Sequence, residues 1–433
     1  MISPVDLRTL ELTGWGDRAA DVSQSEWLAA WQLAKVRNMI PYMRANSDYY
    51  AKSLSGVDES SIDSAEAFFC LPFTLPADVR TAPGSFLCTA ARGVRRVATV
   101  PTSGSTGEPK RFSFTGRDIE RTLDFFTHGM RSLTGEGKHV AILLSSATRD
   151  SIAALLVEAL GRIGATASLY GRPLDMDEAA KVVGEAHCLV GLPADLLRLC
   201  RTHPELRPES VLLTADYIPR IAVLDIERTW GCKTYAHYGM TEVGYGLAVQ
   251  CSCGGAHHLR HADVLVEVVD PHSGAPLPAG EEGEVVVTTF THEAMPLLRY
   301  RTGDRASLEI TPCPCGGLLP RLGRLTERID GMVDLGGRET TQEELDEMVY
   351  ACAAVRDYRA QLRREGDDCT LLLFVEADAR IDRGAFERRM RALLPCRLEF
   401  SYDSLPPAGG VAKRRIEILQ ENAPVVGDDS LRT

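Results

Sequence analysis

The run from Pro101 to Lys110 reads PTSGSTGEPK, and its residue types suit the grip of a phosphate chain. Gly104 and Gly107 let the backbone approach an anion with no Cβ in the way, Thr102, Ser103, Ser105 and Thr106 offer hydroxyl donors, and Lys110 adds a point charge. It is not a Walker A loop. That motif needs Gly-Lys-Ser/Thr opening a helix, so an ordinary P-loop NTPase is disfavoured. A second chemically capable group is soft: Cys251-Ser252-Cys253 is followed by Gly254, Gly255, His257 and His258, and about sixty residues on comes Cys313-Pro314-Cys315-Gly316-Gly317. Paired thiolates on glycine turns, with an imidazole, suit a closed tetrahedral zinc site. The spacing leaves open which of these residues bind.

Three further segments follow the phosphate loop in order: YGMTE at Tyr238–Glu242, YRTGD at Tyr300–Asp304, and Arg328 with Asp330 in LTERIDGM. Together the four motifs resemble the adenylate-forming superfamily of acyl-CoA synthetases and adenylation domains, most closely its phenylacetate-CoA ligase-like branch. The resemblance begins with WLAAWQLAKVRNMIPYMRANSDYY and runs to about Ile418.

That resemblance implies an ATP- and Mg2+-dependent ligase that joins an aromatic or heteroaromatic carboxylic acid to AMP, expels pyrophosphate and passes the acyl group to CoA. Carried over residue by residue, it places the loop Thr102, Ser103, Gly104, Ser105, Thr106, Gly107 and Lys110 on the β and γ phosphates. Glu242 falls on Mg2+ and Thr241 on the α-phosphate. Tyr238 stacks on adenine beside Gly239 and Met240, Asp304 accepts the ribose hydroxyls, and Arg328 approaches ribose or phosphate. Asp330 becomes the hinge of a small mobile domain, and Lys413 the cation that steadies the carboxylate. By the same likeness, since some members of the branch hold zinc at a comparable pattern, Cys251, His258, Cys313 and Cys315 are the zinc ligands, with Cys253 and His257 as substitutes.

The chain departs from the family at several points. Glu327 stands where Gly is usual and Gly331 where a second Asp is usual. The terminal Gly-Lys doublet is replaced by GGVAKRRIEI, so that Lys413 fits only with a shift of register or a change of shape. After the hinge, GGRETTQEEL is about two residues shorter than the family loop and lacks its aromatic and proline. These changes keep two alternatives open: transfer to a carrier-protein thiol or an amine, and a noncatalytic nucleotide or acyl-adenylate binding module. His237, beside Tyr238, reads as a core histidine that could edge the acyl pocket.

Composition bounds the answer. The formal net charge of −12 argues against nonspecific nucleic-acid binding. No window is apolar for the ~20 residues a membrane span needs, and the N-terminus lacks a secretory pattern. A cytoplasmic protein is expected, so the 12 cysteines read as thiols or metal ligands rather than disulfides. A homodimer is compatible with this reading.

The elements that must position these groups follow from periodicity. With 433 residues at least two domains are expected. Residues 1 to about 90 read as helical, notably Glu26 to Tyr49. From about 95 to 225, strands such as VAILLSS, TASLYG and CLVGL alternate with helices, implying a parallel, doubly wound sheet. Residues 259–309 alternate as antiparallel strands, and a small α+β unit follows Asp330. The fold class expected is therefore α/β: a large domain over 1–329 with mixed sheets and an antiparallel segment, and a small C-terminal lid over 330–433.

Overall fold

Local capping sets the N-terminal helices. The Ser23 hydroxyl accepts the Glu26 N–H while the Glu26 carboxylate takes the Ser23 N–H, and this reciprocal box starts the helix Gln24–Asn46. Ser47 then turns extended and caps Tyr50, so the stretch read as one helix to Tyr49 is two, Gln24–Asn46 and Asp48–Ser53. The computed structural model describes residues 1–17, 22–100, 109–145, 151–329, 331–365, 368–403, 405 and 414–419. The phosphate-loop residues Thr102 to Gly107, the hinge Asp330 and Lys413 lie outside the described residues. No described helix is long and apolar enough to cross a membrane.

The expected parallel and antiparallel segments are halves of one 12-stranded sheet. Its parallel half runs Thr166–Leu169, His139–Leu143, Cys188–Gly191, Ser210–Leu213, Lys233–Tyr238. Helices cover both faces: Phe125, Phe126, Leu155 and Leu160 pack on one, and Leu196, Leu199, Ile226 and Trp230 on the other. Lys233–Tyr238 is the seam, because it pairs antiparallel with Ala248–Gln250 and so passes the sheet into the antiparallel half. Strands Val264–Val269, Glu282–Thr289 and Tyr300–Glu309 complete that half. In such sheets ligands sit beyond the carboxyl ends of the parallel strands. The two such ends nearest the seam are Leu213 and Tyr238.

A buried arginine ties the helical opening to this half. Arg299 is 1% exposed; its Nη2 lies 2.9 Å from Glu267 Oε1, and its Nη1 donates to the Phe69 and Leu71 carbonyls at 2.5 and 2.8 Å. Its φ of 44° is left-handed, a conformation held only where surrounding contacts over-determine it. Breaking such a buried pair by removing one partner costs about 3–5 kcal/mol. The next residue is Tyr300.

The C-terminal unit is a four-stranded sheet, ordered Arg397–Ser401, Asp368–Ala377, Val355–Glu365, Glu417–Ile418, with helices Gln342–Tyr350 and Arg383–Leu393. Its core crosses the boundary: Leu197 and Ala222 of the large unit are buried together with Leu345, Val349, Tyr358 and Leu373. Polar contacts reinforce this seam. Arg201, with its side chain 8% exposed, pairs with Asp225 at 2.6 Å and donates to the carbonyls of Tyr350 (2.6 Å), Cys352 (3.3 Å) and Val355. Glu347 accepts the N–H groups of Arg220 and Ile221.

Candidate active site and metal cluster

The seam strand delivers the central motif. Lys233–Tyr238 ends at Gly239, where a Cβ would lie 1.6 Å from the Tyr245 carbonyl oxygen, so no side chain fits and the chain folds back tightly. Met240 leads into the short 3-10 turn Thr241–Val243, which places Thr241 half-buried and buries Glu242. Glu242 Oε1 accepts from Lys110 Nζ at 2.5 Å, and the same ammonium donates to the Tyr300 hydroxyl at 3.0 Å. Lys110 opens the strand Lys110–Phe114, and Tyr300 opens its own strand behind Arg299. Burial alone would raise the Glu242 carboxyl, but the charge and hydrogen bond of Lys110 outweigh it and hold the group below the usual carboxylate range. A buried, ionised carboxylate bordered by a hydroxyl-bearing residue is a hard-cation ligand set in outline.

A second cluster adjoins it. The Tyr238 hydroxyl donates to Asp304 Oδ2 at 2.7 Å, and Arg328 Nη1 donates to Asp304 Oδ1 at 3.0 Å while its Nη2 reaches the Thr302 carbonyl at 3.0 Å. Strand pairing explains the meeting, for Asp304 and Arg328 are register partners. Burial and then the Asp304 charge push the Tyr238 phenol up, so it stays a donor. Tyr300 and Asp304 share one strand, and Tyr238 and Glu242 are joined by one tight turn, so the two clusters lie side by side.

Several participants were not singled out from sequence. Tyr300 begins YRTGD, yet only Asp304 of that motif was given a role. The turn Thr214–Tyr217 was missed entirely. It leaves the carboxyl end of Ser210–Leu213, holds Ala215 at a φ of 67°, and brings Tyr217 beside Asp304 and Arg328. Thr214 Oγ1 lies 2.8 Å from His237 Nδ1, whose ring packs near Phe125 and Phe126 at 6.2 and 6.0 Å. Burial lowers His237 to about 4, so it is neutral near pH 7.

The soft ligands also converge. One donor atom from each of Cys251, His258, Cys313 and Cys315 lies within 4.8 Å of the others, and all four residues are buried. Thiolates at ~2.3 Å around a tetrahedral ion stand about 3.8 Å apart; Cys251 Sγ and Cys313 Sγ are 3.7 Å apart, and Cys315 Sγ is 3.7 Å from His258 Nε2. The donor set therefore fits a four-coordinate metal. The substitutes fall outside: Cys253 is exposed, and His257 Nδ1 faces the Leu322 carbonyl at 3.3 Å. Asp6, absent from the sequence reading, lies 2.9 Å from His258 Nδ1 and leaves Nε2 turned to the sulfurs.

The geometry has counterparts in known proteins. The AMP-binding enzyme family matches residues 96–291. The chain is 28% identical over 361 residues to a phenylacetate-coenzyme A ligase of Thermus thermophilus, covering 79% of each chain. It is 26% identical over 407 residues to the phenylacetate-coenzyme A ligase of Aromatoleum evansii, covering 90% of this chain and 89% of that one. A crystal structure of 2-hydroxyisobutyryl-CoA ligase in the postadenylation state, in complex with R3-HIB-AMP, matches with a TM-score of 0.77 at 18% identity, covering 93% of this chain and 94% of that one.

Proposed function

We infer that the chain is an AMP-forming ligase of the adenylate-forming superfamily, in its phenylacetate-CoA ligase-like branch, and that it activates an aromatic or heteroaromatic carboxylic acid and transfers the acyl group to CoA. A carboxylate oxygen attacks the α-phosphorus of ATP and pyrophosphate leaves; the CoA thiol, losing its proton, then attacks the acyl carbon and AMP leaves. The observation that carries the reading is the contiguous site of Lys110, Glu242 and Tyr300 beside Tyr238, Asp304 and Arg328.

Each group has a task in this scheme. The loop Thr102–Gly107 and Lys110 hold the outer phosphates, and Thr241 the α-phosphate. Glu242 would hold Mg2+, and Lys110, its partner here, would then be available to those phosphates. The cation, when bound, neutralises phosphate charge. Asp304 and Arg328 offer an acceptor and a donor for the ribose, and the buried Tyr238 holds Asp304 in place beside the adenine. The unit 330–433 turns about Asp330 between the two steps, and Lys413 serves the first. The hairpin Val333–Asp334 with Glu339–Thr340 stands where the family's longer loop serves CoA, and its shortness favours a carrier thiol or an amine as the alternative acceptor.

Pyrophosphate exchange with a panel of aryl acids tests the first step, and thioester formation on adding CoA tests the second. No exchange with any acid would overturn adenylation; exchange without thioester would move the acceptor to the alternative class.

We also assign zinc to the four-residue cluster, as a closed structural ion. Protein purified without chelator is expected to carry about one zinc per chain by elemental analysis, and Cys313→Ser to lose it. Because binding free energy is folding free energy at such sites, metal removal should lower the melting temperature before it alters ATP affinity. Metal-free protein of unchanged melting temperature would remove the assignment.

A further inference from the structure

Arg414 is held from two sides by two different parts of the molecule. Its guanidinium is buried in the small unit, where Nη1 donates to the Tyr350 hydroxyl at 2.5 Å and to Asp357 Oδ1 at 2.7 Å, and Nη2 to Asp346 Oδ1 and the Tyr358 carbonyl at 3.2 Å each. The Tyr358 ring lies 4.7 Å from the same group. Arginine's planar fork makes such an anchor directional, so the side chain fixes the backbone of residue 414 relative to the sheet beneath it. The backbone N–H of Arg414 points the other way, to Asp216 Oδ2 of the large unit at 3.1 Å.

Asp216 is itself placed by the site. It follows Ala215, whose φ of 67° marks a strained turn at the carboxyl end of Ser210–Leu213, and its Oδ1 accepts the N–H of Tyr217 at 2.9 Å. Tyr217 stands beside Asp304 and Arg328. A carboxylate that accepts one N–H from its own turn and one from the other unit is a docking point. Burial pushes its carboxyl up to about 6.

We propose that Asp216 and Arg414 are positioning residues of the adenylation step: Asp216 accepts the backbone N–H of Arg414, Arg414 locks that contact to the small unit through Asp357, and together they hold the small unit in register against the nucleotide site. The proposal rests on the reading of the chain as an adenylate-forming ligase whose small unit serves the first step. It also requires the Asp216 contact to open whenever the small unit turns for acyl transfer.

The test uses the full chain and the two half-reactions separately. Asp216→Ala is expected to lower pyrophosphate exchange about tenfold or more through kcat, with KM for ATP little changed, because a lost positioning contact acts in the transition state. Thioester formation from preformed acyl-adenylate should be retained. Asp216→Asn, which keeps one acceptor oxygen, should restore part of the exchange. A merely structural role would depress both half-reactions and the melting temperature together, and that result, or unchanged exchange in Asp216→Ala, overturns the proposal. If Lys413→Ala leaves exchange intact while Asp216→Ala lowers it, the lysine reading fails and the docking stands; the reverse pattern removes the docking alone. Amide hydrogen exchange at Arg414 gives a readout without turnover: faster exchange in Asp216→Ala supports the contact, and equal rates refute it.

Discussion

Replacing Glu242 with Gln is expected to lower pyrophosphate exchange by about two to three orders of magnitude, since charge stabilisation of a transferring phosphoryl group by a held cation is worth several kcal/mol and each ~1.4 kcal/mol is tenfold in rate. The substitution keeps the shape and removes the charge. It also strands the Lys110 ammonium, which lies 2.5 Å from Glu242 with its side chain 15% exposed, so some stability is lost with the activity. The double variant Glu242→Gln with Lys110→Met separates the two effects: melting temperature should recover while exchange does not. The acid limb follows from the sign of the shift. The Glu242 carboxyl is held below its ordinary value, so its contribution to stability is complete above the unfolded-state value and is lost only as pH falls through the lower folded value. Exchange that persists at wild-type rate in Glu242→Gln sinks the assignment.

Lys413→Ala is expected to cut exchange by about a hundredfold or more while leaving ATP affinity nearly unchanged, because a contact made mainly in the transition state appears in kcat. Acyl transfer from preformed adenylate should survive, since the small unit carries this residue away for that step in the proposed scheme. Normal exchange in the variant would pass the catalytic cation to another residue, with Lys110 already at the site. Loss of both steps, with a lowered melting temperature, would point instead to damage of the small unit.

How much of this was legible in the sequence divides along physical lines. Alternating strand and helix lengths were enough for the doubly wound half, because local periodicity reports which face of an element is buried. The Cys/His cluster was legible down to its four members only with the help of the resemblance; the bite of Cys251 and Cys253 alone could not say that Cys253 turns to solvent. The fusion of both halves into one sheet was not legible. It depends on two-residue pairings such as His237 with Val249 and Tyr238 with Ala248, too short to leave a pattern. Tyr300, Asp216 and Asp6 were missed for a related reason. Each acts on a partner far along the chain, Lys110, Arg414 and His258, and a sequence read for spacing carries no signal for a single long-range hydrogen bond. The left-handed Arg299 was invisible too, since no glycine announces it.

The seam between the two units limits how this protein can be recombined with its relatives. The carbonyls of Tyr350 and Cys352 at the end of helix Gln342–Tyr350, and of Val355 opening the next strand, all accept from Arg201, on a helix more than a hundred residues earlier. Leu197 and Ala222 fill the small unit's core from the same side. A chimera cut at residue 330 would therefore transplant a helix without its cap and a core with two of its side chains left behind. Helices Pro193–Thr202 and Arg220–Trp230 also cover the parallel sheet and stay with it, so a graft that supplies Leu197, Arg201 and Ala222 on the receiving helices should fold where the simple exchange of lids does not.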